Sequence, residues 1–522
     1  MKAIDYFDKS AELLPDRVAI TDGGACYTYS QARAASVKIA NAMRAAGLRD
    51  EQRVAVLSAN EARVLLCILG LMRAGAAWVP LNYRNAVDGN AEYLSYVETS
   101  WLFYQSLFTE QAHALKARVP TLEHMVCIDK ADCQNPGLDS FMAQGKESVD
   151  GDWGDPYGNL DHLVGIIPTG GTTGPAKGVR VTSRPWGTML DLASLYWKCE
   201  DVDPICLDVA PLSHAAGVVA NAAFAIGATN VVLPGFDPLE TARAIEEHRV
   251  THLYLPPTAL YKMLALPEIR RFDYSSLRIL LLAGSPVSIE KFREAAEVFG
   301  PAVCQCYGQT EAPMLLTWLD PKTVANAAAG IHPERLRSCG LPSAVTRLAT
   351  MDEDGRILPP FQIGEIVARG SLVTPGYHNM PEATADVRKF GWHHTGDVGY
   401  RDEYGYFYIV DRIKDIIITG GFNVFSSEVE NTIAEIPGVE ECAVVAVPDD
   451  TWGEAVKAFV VPKPGASLCE EALIRECKQK LGSIKAPKSF EFCKEIPKTQ
   501  AGKIDRRTLR APYWVGIDRA VH

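Results

Sequence analysis

The chain has no excess of positive charge. Its 52 lysines and arginines face 64 aspartates and glutamates, a formal net charge of -12. A nucleic-acid surface concentrates Lys and Arg on one face, so no nucleic-acid partner is expected. Paired-cysteine patterns are also missing. The thirteen cysteines form an odd set without a Cys-x-x-Cys, and Cys304-Gln305-Cys306 has the wrong spacing for a zinc knuckle. Reduced, mostly buried thiols are the expectation. No apolar run is long and unbroken. The most apolar stretch, Val209 to Leu233, is interrupted by His214, Asn221, Thr229 and Asn230 and contains Gly217 and Gly227. It reads as a buried helix and strand, with no transmembrane segment. Met1-Lys2-Ala3-Ile4-Asp5-Tyr6 lacks an apolar signal core, and Ala520-Val521-His522 is no peroxisomal tripeptide. A cytoplasmic location is therefore expected.

What the chain does have is ordinary globular material: 522 residues, 47% hydrophobic and 22% charged, enough for a large multi-layer domain and a smaller one. Ala32, Ala35, Ile39, Met43 and Ala46 recur at helical spacing before Gly47, and Arg53–Leu57 follows as a short buried strand. The rhythm repeats with a helix over 61–74 and a strand over 76–81. Further on, Asp237-Pro238-Leu239-Glu240 is a capped helix start, 277–282 a buried strand, and 288–299 a helix. Alternating strands and helices predict an α/β domain with mostly parallel sheets. Past Asp411 the pattern changes to strands at 442–447 and 455–461, a helix at 470–481 and a strand at 489–492, a small α+β unit. The expected domains are 1–411 and 412–522, with a hinge near 411–414.

One segment carries phosphate chemistry. Pro168-Thr169-Gly170-Gly171-Thr172-Thr173-Gly174-Pro175-Ala176-Lys177-Gly178 follows the apolar run Leu163–Ile167. Glycines let successive N–H groups face a phosphate, threonine hydroxyls add donors, and lysine adds compact charge. It is not a Walker A loop, which needs Gly-Lys-Ser/Thr, whereas Lys177 lies between Ala176 and Gly178. Taken alone, the run reads equally well as a flexible surface loop.

Its company narrows the reading. Ala283-Gly284-Ser285-Pro286, Tyr307-Gly308-Gln309-Thr310-Glu311-Ala312, His394-Thr395-Gly396-Asp397 and Asp411-Arg412-Ile413-Lys414-Asp415 place polar residues where apolar elements end. Pro497-Lys498-Thr499-Gln500-Ala501-Gly502-Lys503-Ile504-Asp505 lies near the end of the sequence. In this order, from roughly Thr28 through Leu509, the segments resemble the adenylate-forming (AMP-binding) superfamily, in its acyl-CoA synthetase branch. The resemblance implies ATP, Mg and CoA as cofactors and co-substrate, and a small mobile C-terminal domain.

It also implies residue roles. Thr169, Gly170, Gly171, Thr172, Thr173 and Gly174 would hold the β- and γ-phosphates, with Lys177 adding charge. Glu311 would ligate magnesium, a hard cation that wants oxygen. Tyr307 would face adenine, with Gly308 beside it; Thr310 would reach the α-phosphate, and Gly284 and Ser285 the base. Asp397 would accept both ribose hydroxyls. Arg412 is expected near ribose and phosphate, and Lys503 on the substrate carboxylate and α-phosphate, stabilising charge. Lys414 would be the hinge, its side chain an ordinary solvent-facing lysine, while Gly420 and Gly421 would approach pantetheine. The catalytic set is thus Lys503, Thr172 and Lys177.

For the acid itself, Pro211-Leu212-Ser213-His214-Ala215-Ala216-Gly217 carries no acidic residue to pair with an amino group. His214, Ala215, Gly217 and Ala283 are candidate acyl-pocket residues, the small ones leaving room for a bulky group; His214 reads equally as a buried, hydrogen-bonded histidine. Fatty, alicyclic and aromatic acids all fit. The expected activity is acid–CoA ligation, with carrier-protein loading and a noncatalytic nucleotide-binding homologue as alternatives. Arg506-Arg507 is a candidate small-anion contact, and a homodimer the default assembly.

Overall fold

The computed structural model describes residues 1–130, 132, 134–145, 159–169, 177–213, 215–498 and 504–515. Two compact units divide it: one holds residues up to 347 together with 368–388, the other 348–367 together with residues from 389 onward.

The first unit carries two sheets. In one, the strands Val18–Thr21, Thr229–Val232, Ile205–Asp208, His252–Leu255, Ile279–Leu282 and Val303–Gln309 run parallel as neighbours. Antiparallel strands close both edges, giving nine in all. Continuous apolar runs such as Ile279–Leu282 are buried at every position, as a parallel strand covered on both faces requires. The other sheet has seven strands, with Leu163–Thr169, Ala77–Pro80, Arg53–Leu57, Trp101–Tyr104 and His124–Cys127 parallel. Helices start where the sequence predicts: the Asp237 carboxylate accepts from the N–H groups of Leu239 and Glu240 at 3.0 Å, and Ser288 caps Ile289–Phe299. Val209–Leu233 resolves into the helix Ala215–Ala225 and the strand Thr229–Val232. Among the described residues no helix is long and apolar enough to cross a membrane.

Where Arg53–Leu57 hands over to the helix Ala62–Arg73, Glu61 sits partly buried. Gln105 donates to Oε2 at 3.1 Å, and buried Oε1 takes no hydrogen bond. Burial, then the charge of Asp129, pushes the Glu61 carboxyl up to about 7. A carboxyl raised in the folded state favours folding below its ordinary value near 4.5, and that contribution is lost as pH rises toward 7. Glu61→Gln should therefore become progressively more stable relative to the parent between pH 4.5 and pH 8. Thermal unfolding at several pH values checks this, and a difference that stays flat with pH would refute it.

The second unit contains a four-stranded sheet, Thr346–Met351, Gly364–Gly370, His393–Arg401 and Phe407–Arg412, and a five-stranded one built on the long pair Val439–Asp449 and Gly453–Pro462. Val444, Val456 and Val460 pack against Val429, Ile433, Leu473 and Cys477 from two helices. Arg506 does not wait for an anion. It donates to both Glu430 carboxylate oxygens, at 2.8 and 2.7 Å, and lies 4.0 Å from Asp415. That charge-assisted pair, with both bonds from Nη2, ties the Arg506–Arg510 helix to Ser426–Ala434, so the small-anion reading of Arg506 is set aside.

Candidate active site

Lys177 and Thr169 face each other across an antiparallel pair. The strands Leu163–Thr169 and Lys177–Thr182 are in register with Thr169 opposite Lys177, so the two residues that flank the glycine- and threonine-rich segment are held side by side. Thr169 Oγ1 donates to the Lys177 carbonyl at 3.4 Å. Gly170, Gly171, Thr172, Thr173 and Gly174 lie outside the described residues, as do His214 and Lys503.

Glu311 stands at the tip of a second hairpin, between Val303–Gln309 and Ala312–Leu319. The register slips between Tyr307 and Gln309, Met314 adopts φ 57°, and Gly308 passes so close that a Cβ there would lie 2.6 Å from the Met314 nitrogen. Only glycine fits this approach. Thr310 shares the tip with Glu311, while Tyr307 sits half-buried in the strand before it. Ala283, Gly284 and Ser285 follow the strand Ile279–Leu282, with Gly284 at φ 96°. Any Cβ there would face the Tyr254 hydroxyl at 3.7 Å.

A residue that sequence reasoning passed over joins the two hairpins. The Tyr377 hydroxyl donates to Glu311 Oε1 at 2.7 Å, and the Lys177 ammonium lies 4.9 Å from the centre of the Tyr377 ring, within cation–π range. Burial, then the negative charge of Glu311, holds the Tyr377 phenol well above its ordinary value, so it stays a donor. Gly376-Tyr377 looks in sequence like any turn; only its pairing with Val179 and Arg180 brings it here.

The donor set suits a magnesium ion that arrives with phosphate. No group of three or more His, Cys, Asp or Glu among the described residues could hold a metal. One carboxylate plus substrate phosphates is the usual way Mg²⁺ is held, and Glu311 fits it.

In the second unit, Asp397 does not follow the end of a strand but lies within His393–Arg401, after Gly396 at φ 71°. Its side chain is 5% exposed, and Arg412 Nε reaches its Oδ1 at 2.9 Å from the paired strand. Glu365 fixes the approach, accepting from Gly396 N–H at 2.9 Å and contacting His394 Nδ1 at 2.6 Å. Thus two of the expected nucleotide residues meet, as each other's ion partner. Lys414 departs from expectation: it is half-buried, and burial, then the neighbouring Arg412, lowers its ammonium pKa.

Gly420 and Gly421 form a turn at φ 56° and 81° between Ile417–Thr419 and Phe422–Val424. Gly420 N–H donates to the Trp452 carbonyl at 2.8 Å, and the indole covers it so closely that a Cβ would lie 2.5 Å from Cε3. Trp452 stays 47% exposed. The acyl side needs a correction as well. Room at Gly217 is already filled, since a Cβ would fall 2.1 Å from the Leu212 carbonyl oxygen and 2.9 Å from the Trp78 ring. Gly217 is a packing glycine; Ala283 is half-buried.

Two family models match this chain: the AMP-binding enzyme over residues 7–378 and the AMP-binding enzyme C-terminal domain over 428–503. A medium/long-chain-fatty-acid–CoA ligase of Mycobacterium tuberculosis is 36% identical, covering 92% of this chain and 84% of its own. A feruloyl-CoA synthase of Amycolatopsis is 37% identical over 97% of this chain and 98% of its own. Among solved structures, an amide bond synthetase of Marinactinospora thermotolerans superposes with a TM-score of 0.86 at 30% identity, covering 98% of this chain and 99% of that one. Near end-to-end coverage at these identities, over a fold of the same layers and order, means that the chain belongs to the AMP-binding enzyme family.

Proposed function

We propose that the protein is an AMP-forming acid–CoA ligase. The observation that carries this reading is the Glu311–Tyr377–Lys177 assembly, a cation-binding carboxylate and a phosphate-binding cation held by one phenol at the root of the glycine-rich segment. Two relatives support it, one named a medium/long-chain-fatty-acid–CoA ligase and the other a feruloyl-CoA synthase. In the first step an acid carboxylate oxygen attacks the α-phosphorus of ATP and the bond to pyrophosphate breaks. Lys177, with Thr169 through Gly174, takes the charge that leaves with pyrophosphate, and Lys503 takes the charge gathering on the α-phosphate. Magnesium, when bound, screens the phosphate oxygens from the incoming carboxylate. In the second step the CoA sulfur attacks the acyl carbon, the bond to AMP breaks, and the thiol proton is lost to solvent. Asp397 holds the ribose, and a turn of the small domain about 411–414 exchanges Lys503 for the Gly420–Gly421 turn between the steps.

The amide bond synthetase likeness favours a second acceptor, an amine in place of the thiol. Measuring acid-dependent AMP release over fatty, alicyclic, phenylpropenoic and benzoic acids, each with CoA, a carrier protein or a simple amine, separates the readings. CoA-dependent thioester with at least one acid class supports the proposal. Acyl-AMP formation with amide or carrier product and no CoA thioester would overturn it.

A further inference from the structure

The segment Thr374–His378 is tied down at every residue whose bond reaches the candidate site. Thr374 N–H donates to the Glu311 carbonyl at 2.9 Å, which fixes the hairpin tip of the nine-stranded sheet. Two residues on, Gly376 and Tyr377 pair with Arg180 and Val179, at the edge of the seven-stranded sheet just beyond Lys177. His378 N–H donates to the Gly178 carbonyl at 2.8 Å, and Tyr96 donates to the His378 carbonyl. Tyr377 N–H donates to Thr384 Oγ1 at 3.0 Å. Gly376, at φ 121°, leaves no room for a Cβ, which would lie 2.3 Å from Thr384 Cγ2. This strap therefore has its backbone bonded to one sheet at Thr374 and to the other at 376–378. Its one long polar side chain points back across the gap to Glu311.

From this geometry, and resting on the magnesium role proposed for Glu311, we infer that Tyr377 is a positioning residue for the cation. Its hydroxyl engages Oε1 of Glu311, which leaves Oε2 as the open oxygen and fixes the direction in which it faces. Among the described residues Oε2 takes no hydrogen bond. Partners of this kind, which orient a metal ligand without touching the metal, typically govern metal affinity by about 10–100-fold. The ring does a separate job. Stacked under the Lys177 ammonium, it fixes the spacing between phosphate lysine and cation carboxylate, which sit on different sheets. Hydroxyl and ring can be parted by substitution, since Tyr377→Phe removes only the hydroxyl.

Direct cation binding tests this. Mn²⁺ affinity would be measured by electron paramagnetic resonance for the full-length protein saturated with α,β-methylene ATP, whose α–β link cannot be cleaved, so that no adenylyl group is transferred. Glu311→Gln should abolish the tight site, and Tyr377→Phe should weaken it by about 10-fold or more with an unchanged unfolding temperature. In pyrophosphate exchange, Tyr377→Phe should recover most of its kcat at saturating metal. The double variant should bind no more weakly than Glu311→Gln alone, because the hydroxyl acts through that carboxylate. If Glu311→Gln loses the cation while Tyr377→Phe stays within about twofold of the parent, the positioning role is overturned and the magnesium role of Glu311 stands. If Glu311→Gln binds Mn²⁺ like the parent, the magnesium role falls and the inference with it.

Discussion

Lys503→Ala is expected to lower acid-dependent ATP–pyrophosphate exchange by about 10³-fold, some 4 kcal/mol of transition-state stabilisation. Thioester formation from supplied acyl-AMP and CoA should change less than about threefold. The asymmetry follows from where charge develops. During adenylation, negative charge gathers on the α-phosphate as two anions approach, and only a cation placed there offsets it. During thiol attack that phosphate already leaves as a monoester. A lysine is suited to the first task because its ammonium is compact and carried on a long stem. Both half-reactions are read separately, by isotope exchange and by thioester absorbance. Equal losses in the two would sink the assignment of Lys503 and with it the domain alternation proposed here.

Gly308→Ala is expected to cost about 1–3 kcal/mol of stability and to cut pyrophosphate exchange by at least about 10²-fold. An added Cβ would meet the Met314 nitrogen and carbonyl carbon at 2.6 Å and its Cα at 2.7 Å. Those are backbone atoms, so no side chain can swing aside. Met314 is already at φ 57° and the register has already slipped beside it, which leaves the hairpin no easy relaxation. The clash therefore pries open the strands that present Thr310 and Glu311, and a displacement near 1 Å at a reacting centre is enough for the loss of rate. Gly235→Ala is the control, because a Cβ there meets nothing within 4 Å. It should leave both unfolding temperature and exchange unaltered. A Gly308→Ala protein as active and stable as the parent would refute the packing described.

Much of the fold was legible because it is written locally. The Asp237 cap, the buried run ending at Leu282 and Gly227 with the polar Thr229-Asn230 inside the 209–233 stretch are each decided within a few residues, and the structure places elements there. Family membership was legible for another reason: six separated segments in one order leave few alternatives. What could not be read depends on partners distant in sequence. Arg506 looks like an anion contact until Glu430, 76 residues away, is brought to it. Gly217 looks like open space until Trp78 fills it. Tyr377 carries no signal of its own, since its partners Val179, Lys177 and Glu311 come from two sheets. Lys414 reads as a surface lysine because nothing nearby in sequence announces burial.

Thr169 and Lys177 are held by strand pairing, which sets them apart from the flanks of a phosphate loop that runs from a strand into a helix. Where such a loop runs from a strand into a helix, its length sets where the helix begins, and one inserted residue shifts everything after it. Here Thr169 and Lys177 are fixed by strand register, independent of what lies between. Doubling the length of a flexible connection costs only about 0.6 kcal/mol. An insertion between Thr169 and Lys177 should therefore leave the strands on either side in register.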